Sequence, residues 1–251
     1  MSNALDAEAL EAEAAAEGSS AAGKRMYVQR IFSEIAPRYD LLNHLLSLGI
    51  DRRWRTRAIA ELDWGRAPAG HYLDLCAGTL DVGAQLSRRP GFGGSILAAD
   101  FAEPMLRAGS GKASPEVLAP VVADALALPV RDGAFDGAIV AFGIRNVARL
   151  DDGLREVRRV LKPGARFVIL EFSTPRVPLV RAGYRFYFHR ILPLVGRLVS
   201  GHKTAYTYLP RSVANFPETG ALAAAMTRAG FRDVRFQTLT FGIAAVHVGT
   251  K

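Results

Sequence analysis

Cysteine is almost missing from this 251-residue chain: Cys76 stands alone. No intramolecular disulfide can form, and a reducing compartment such as the cytoplasm is expected. No uninterrupted apolar run reaches the ~18–20 residues that a membrane span needs. The N-terminus lacks a basic segment followed by an apolar one and carries Asp6, Glu8, Glu11, Glu13 and Glu17 instead, so a secretory leader is not expected. Metal-ligand spacing is missing too. His44, His71, His189, His202 and His247 are scattered, one cysteine is too few, and no metal is expected. Cys76 reads as a small core residue rather than a nucleophile.

What is present describes one globular domain. An apolar share of 49% with 22% charged residues is ordinary for a soluble protein, and the length suits a single sizeable core. Residues 1–23 hold five acids and no Lys or Arg among small residues, which reads as a mobile acidic extension. The net charge is +8, so residues 24–251 carry +13. Such a balance attracts polyanions, either nucleic acid or the anionic inner face of a cell membrane.

From Lys24 to about Leu62 the pattern is helical, with Asp51 expected as an N-cap and Trp54, Ala58, Ile59 and Leu62 on one face. Beyond Pro68–Gly70, short apolar runs alternate with helical stretches. The runs are 72–76, 96–99, 121–123, 138–142 and 167–170, and between the last two an amphipathic helix bearing Leu150, Leu154, Val157 and Leu161 is closed by Lys162-Pro163-Gly164. Alternation of this kind gives an α/β fold with a parallel, doubly wound sheet. A helix over 218–229 and two terminal strands, 234–240 and 243–248, joined across Phe241-Gly242 as an antiparallel hairpin, complete the chain.

Parallel α/β sheets bind ligands at the carboxyl ends of their strands, and here those ends are acidic or polar. The first runs into Asp74-Leu75-Cys76-Ala77-Gly78-Thr79-Leu80-Asp81; the next end at Asp100, Asp124, Arg145-Asn146 and Glu171. The G-x-G-x-x-G loop that a dinucleotide pyrophosphate needs is absent. Carboxylates suit S-adenosylmethionine, which is cationic and has no phosphates. Asp100 is placed to accept from ribose hydroxyls and Asp124, before Ala125, from an adenine amino group.

Three further segments carry a resemblance: Tyr39-Asp40-Leu41-Leu42-Asn43-His44-Leu45-Leu46-Ser47 with Trp54; Phe142-Gly143-Ile144-Arg145-Asn146-Val147; and Arg159-Val160-Leu161-Lys162-Pro163-Gly164-Ala165-Arg166 running to Glu171-Phe172-Ser173. Over about residues 25–250 the chain resembles the ubiquinone/menaquinone biosynthesis C-methyltransferases. The pattern departs from that family at Cys76 and Leu80, where glycine is usual, at Asp51 and Ala165, and at Ala141, where a serine is frequent. The resemblance implies a mostly parallel, seven-stranded Rossmann-like methyltransferase sheet with N-terminal helices. It implies a domain over 24–251, with a helical cap at 24–66 and a lid or substrate insertion at 174–216. Donor contacts fall at Asp74, Gly78, Thr79, Asp100, Asp124 and Ala125.

The activity so implied is methylation of a ring carbon in an isoprenoid quinol, demethylmenaquinol first and a benzoquinol second. Such a carbon becomes nucleophilic when its neighbouring phenol ionises. Arg145 is expected to stabilise the phenolate, Asn146 to orient it and His202 to act as base, with Tyr39, Tyr206 and Tyr208 against the substrate. For Arg145 an ion pair with Asp151 or Asp152 is the competing expectation. Between residues 181 and 199, Tyr184, Tyr187, Phe188, Ile191, Leu194, Val195 and Leu198 share an arc, with a kink at Pro193. That stripe reads either as a core-facing face or as a lid on the membrane surface. Other readings stay open: a methyltransferase for another small phenol or lipid, an RNA methyltransferase, or a donor-binding module without activity. The Asn/Asp-Pro-Pro-aromatic motif of base-methylating enzymes is absent, so no nucleic-acid partner is expected. A homo-oligomer is compatible with the sequence.

Overall fold

The apolar runs become five parallel strands: β1 (His71–Leu75), β2 (Ser95–Asp100), β3 (Leu118–Val122), β4 (Phe135–Ala141) and β5 (Leu161–Phe172). The computed structural model describes residues 21–40, 47, 49–187, 190 and 203–251, without the side chains of 21, 22, 38, 185 and 203–207. Two C-terminal strands, β6 (Arg232–Leu239) and β7 (Ala244–Thr250), join antiparallel, giving the order β3-β2-β1-β4-β5-β7-β6. The hairpin expected across Phe241-Gly242 is there.

Period-two alternation explains why β5 reads as an unbroken apolar run. Phe167 and Ile169 pack with Leu154, Val157, Leu222 and Met226 on one face of the sheet. Val168 and Leu170 pack with Trp54, Ile59, Tyr72 and Val246 on the other. Neighbours in sequence thus enter opposite cores. Edge strand β6 is mostly exposed and carries Arg232 and Arg235, charges that discourage further strand pairing.

Eight helices flank the sheet among the described residues: α1 (Ala21–Ile35), α2 (Ile50–Glu61), α3 (Asp81–Ser87), α4 (Glu103–Ala108), α5 (Leu150–Val160), α6 (Pro178–Phe186), α7 (Lys203–Ala214) and α8 (Thr219–Arg228). Helix α1 begins within the stretch assigned to the acidic extension. On α2 the expected face is buried, but Asp51 is not the cap. Gly49 caps the helix in a left-handed conformation (φ +73), while buried Asp51 lies in the first turn and accepts from Ser47 Oγ and Arg55 Nη1, both at 2.6 Å. A polar residue before an apolar run is an N-cap signal only when its own backbone leaves the helix.

Helix α5 ends at Val160, and Lys162-Pro163-Gly164 forms a bulge at the start of β5, with Gly164 at φ +78. Lys162 Nζ donates to both oxygens of Asp136, at 2.7 and 2.8 Å. Of the stripe expected over 181–199, Tyr184 and Tyr187 are half-buried against Ile31, Ile35 and Val213, the core-facing arrangement. Phe188, Ile191, Pro193, Leu194, Val195 and Leu198 lie outside the described residues.

Candidate active site

The loop after β1 turns through three left-handed residues in alternation: Cys76 (φ +51), Gly78 (φ +52) and Leu80 (φ +67). This is the physical reason for a preference for glycine at all three places, since a side chain there costs about 1–2 kcal/mol. Leu80 offsets its strain by burial, at 4% exposure. Cys76 constrains the next strand end instead: a Cβ on Gly143 would lie 2.3 Å from Cys76 Cβ. The Phe142-Gly143 pair therefore follows from how closely the ends of β1 and β4 approach.

The strand-end carboxylates divide into two roles. Asp74 is 1% exposed and accepts from Gly83 N at 2.9 Å, serving the first turn of α3. Burial pushes its pKa up to about 7, against the lowering effect of the Gly83 N–H. It lines none of the described cavities. Asp100, also raised by burial, accepts from Gly78 N and Ala102 N at 2.8 Å each and lies on the walls of two cavities.

The larger of these, about 360 Å³, is lined by Asp100, Asp124, Ala125, Leu126, Asn146 and Arg25, among others. The smaller, about 30 Å³, is walled by Tyr39, Gly78, Met105, Ala141, Phe142 and Gly143. Cys76, Asp100, Phe101 and Asn146 belong to both. Asp124 Oδ1 accepts from Leu126 N at 2.9 Å, and its Oδ2 from Arg25 Nη1 at 2.8 Å. Helix α1 crosses this mouth, for Lys24 Nζ donates to the carbonyls of Arg145 and Val147 and Gln29 to that of Phe101.

Arg145 and Asn146 follow β4 in a short 3-10 turn and are both buried. Arg145 pairs with Glu171 Oε1 at 2.8 Å rather than with Asp151 or Asp152; Asp152 is held by Arg149 and Arg155. Its Nη1 also donates to the Phe142 carbonyl, its Nε to Ser212 Oγ at 3.2 Å, and its guanidinium carbon lies 5.6 Å from the Phe172 ring centroid. Burial opposes the charge, but the Glu171 carboxylate outweighs it and raises the Arg145 pKa. Glu171, itself raised by burial, also accepts from Phe172 N at 2.9 Å. Tyr208 Oη donates to Asn146 Oδ1 at 2.8 Å, and burial pushes its phenol up to about 12. Tyr208 and Arg145 border a cavity of about 490 Å³ that also touches Lys24, Tyr27 and Arg211.

Thr79 is buried and donates to Asp40, which Lys112 holds while its ammonium also pairs with Asp81 at 2.6 Å. Arg55 completes the chain to Asp81 and Asp51, at 3.2 and 2.6 Å. Tyr206 lies on α7 with its side chain outside the described set, and His202 lies outside the described residues. Sequence reasoning left Arg25, Lys112 and Ser212 unmarked and gave Asp40 no role within its motif; the contacts that bring them to the site span at least 31 residues.

With this geometry, the relationship to known proteins becomes decisive. Residues 20–251 match the sequence pattern described as the ubiE/COQ5 methyltransferase family. The chain belongs to the ubiE/COQ5 methyltransferase family. It is 51% identical to the demethylmenaquinone methyltransferase of Thermus thermophilus, covering 88% of this chain and 100% of the relative. A second relative, the ubiquinone/menaquinone biosynthesis C-methyltransferase of Geobacter sulfurreducens, is 45% identical over 89% and 88% of the two chains. Among solved structures, a methyltransferase from Thermotoga maritima shares 20% identity at TM-score 0.59, covering 88% and 99%. The [4+2]-cyclase SpnF shares 15% at 0.65, covering 89% and 95%. Those two similarities speak for the fold alone, and a cyclase among them illustrates that a Rossmann-like methyltransferase sheet does not by itself fix a reaction.

Proposed function

We propose that this ubiE/COQ5-family methyltransferase transfers the methyl group of S-adenosylmethionine to a ring carbon of demethylmenaquinol. The supporting observation is the pair of cavities that share Asp100 and Asn146, one bordered by Asp124 and Ala125, the other by Gly78, Tyr39 and Phe142. Their residues fit the donor. The larger cavity has the volume of a small-molecule pocket, its acids suit hydroxyl, amino and cationic groups, and the Gly78 loop leaves Cβ-free space toward Met105 and Tyr39. When bound, S-adenosylmethionine supplies an electrophilic methyl group on a sulfonium.

The protein's own groups perform the rest. Asp100 and Asp124 bind and orient the adenosine end, with Gly78 and Thr79 beside the other end and Asp74 acting through α3. Asn146 Oδ1 is taken by Tyr208, which leaves its NH₂ to donate to a quinol oxygen. Arg145 stays cationic at every relevant pH and stabilises the phenolate that activates the ring carbon. Tyr39, Tyr206 and Tyr208 contact the acceptor, and His202 takes the ring proton. The name of the Geobacter relative favours a second reading, in which the benzoquinol step of ubiquinone biosynthesis is also served. The enzyme works in the cytoplasm with peripheral contact to the anionic inner membrane face, without a nucleic-acid partner, alone or as a homo-oligomer.

Calorimetry with pure protein tests the donor site. Uptake of S-adenosylmethionine is expected, and Asp100→Ala should weaken it roughly 10- to 100-fold by deleting a charged acceptor; unchanged uptake would refute the site. Quinone profiling after gene deletion tests the acceptor, with demethylmenaquinone expected to accumulate.

A further inference from the structure

Helix α6 has two apolar faces. One is buried, with Tyr184 against the Ile31–Val213 cluster. The other carries Leu179 and Phe186, seven residues apart and so nearly superposed around the axis, with exposed Ala182 and Gly183 between them. Leu179 is 84% exposed and Phe186 62%, and Val177, the residue before the helix, is 51% exposed. A helix apolar on both sides ordinarily has both covered.

A second exposed apolar group stands close in the fold to the segment that enters α6. In the turn joining β6 to β7, Thr240 (φ +46) and Phe241 (φ +56) are both left-handed, a conformation that is unfavourable for an aromatic residue. Yet Phe241 is not rewarded by burial, being 76% exposed. The turn is fixed against the segment leading into α6: Ser173 Oγ donates to the Gly242 carbonyl at 2.8 Å and Ser173 N to that of Ile243 at 2.9 Å. A Cβ on Gly242 would lie 3.3 Å from Pro175 Cα.

Charge identifies what covers this face. Residues 172–217 contain seven Lys or Arg and no Asp or Glu, more than half of the +13 carried by residues 24–251. Arg176, beside Val177, and Arg181 and Arg190 of the same segment are exposed. Apolar side chains amid unopposed arginines fit an anionic bilayer, where the former enter the interface and the latter meet lipid phosphates. Beneath α6 lies a cavity of about 360 Å³ bordered by Arg176, Arg181, Tyr184, Val213 and Phe172. The Phe172 ring centroid is 4.6 Å from that of Phe142, a wall of the small donor-side cavity.

We infer that Val177, Leu179, Phe186 and Phe241 form one lipid-inserting edge, held by the surrounding arginines on an anionic membrane. This places the cavity beneath α6 as the entry for the isoprenoid quinol, a step that rests on the quinol reading above. Leu179 and Phe186 lie on the side of α6 away from half-buried Tyr184, so the surface that meets lipid is not the one the periodicity picks out.

The test is sedimentation of the full-length protein with phosphatidylcholine vesicles, with and without about one-third phosphatidylglycerol, across a salt series. Wild type should bind the anionic vesicles and release as salt rises. Leu179→Glu/Phe241→Glu should reduce partitioning at least tenfold, and Met26→Glu, on another exposed residue, should not. Leu179→Ser/Phe241→Ser, milder at the same sites, should lie between, with thermal melts confirming folding. Turnover of a short-tailed, water-soluble demethylmenaquinol should be unchanged in the Leu179/Phe241 variants, while that of a long-tailed quinol in vesicles falls with binding. Equal binding to neutral and anionic vesicles, or wild-type binding by the folded double Glu variant, would overturn the inference. So would binding to RNA without binding to vesicles. Vesicle binding without turnover of either quinol would leave the edge standing and refute the quinol reading.

Discussion

The two halves of the active-site region are built on opposite principles. On the donor side, carboxylates sit at strand ends and accept chiefly from backbone N–H groups: Asp74 from Gly83, Asp100 from Gly78 and Ala102, Asp124 from Leu126, with Arg25 added at Asp124. On the acceptor side the charges are basic and their partners distant in sequence, as in Arg145 with Glu171 and Ser212. Backbone donors tie the donor half to the main chain of the loops that follow β1, β2 and β3. Long-range pairing makes the acceptor half depend on how β4, β5 and α7 come together.

Substituting one member of each half separates them. Glu171→Gln removes the countercharge of buried Arg145 and should cost about 3–5 kcal/mol of unfolding free energy. If the halves are independent, its affinity for S-adenosylmethionine should stay within about twofold of wild type by calorimetry. A large loss of donor affinity in a folded variant would break the distinction.

Asp74→Asn probes the donor half by pH. A carboxyl whose folded pKa stands near 7, above its unfolded value near 3.8, contributes stability below pH 4 that fades as pH rises through 7. Between pH 5 and pH 8 the wild type should lose about 2–3 kcal/mol on this account. Asp74→Asn should not, so the variant gains on wild type at the higher pH in urea denaturation. An equal difference at both values would mean that Asp74 titrates normally.

The smallest effect expected is at the seam between strands β1 and β4. Gly143→Ala should destabilise by about 1–3 kcal/mol through its clash with Cys76. Adding Cys76→Gly should recover much of that loss, since it removes both the clash and a left-handed side chain. Strictly additive effects in this cycle would show that the two positions do not meet.

The same division explains what the sequence made readable. Strand runs, the closing hairpin and the three acidic strand ends were visible because each depends on neighbours within a few residues. The partner of Arg145 was not, because Glu171 lies 26 residues away and meets it only when β4 and β5 pair in register. The Asp51 cap failed for a local reason: nothing in composition distinguishes a first-turn acid from a cap when Gly49 can turn the chain instead. Periodicity over 181–199 captured the inward face of α6 and overlooked the outward one. Leu179 precedes that window, and Phe186 alone makes no stripe.

Cys76 lies among the carboxylates of Asp100, Asp74 and Glu171, and burial together with their negative field holds its thiol well above the usual range. Thiolates, not thiols, add to electrophilic quinone rings. The chain thus keeps its sole sulfhydryl un-ionised on the wall of the two cavities that share Asp100 and Asn146. A raised thiol pKa lowers the reactivity toward an electrophilic ring of a sulfur that stands where glycine is usual.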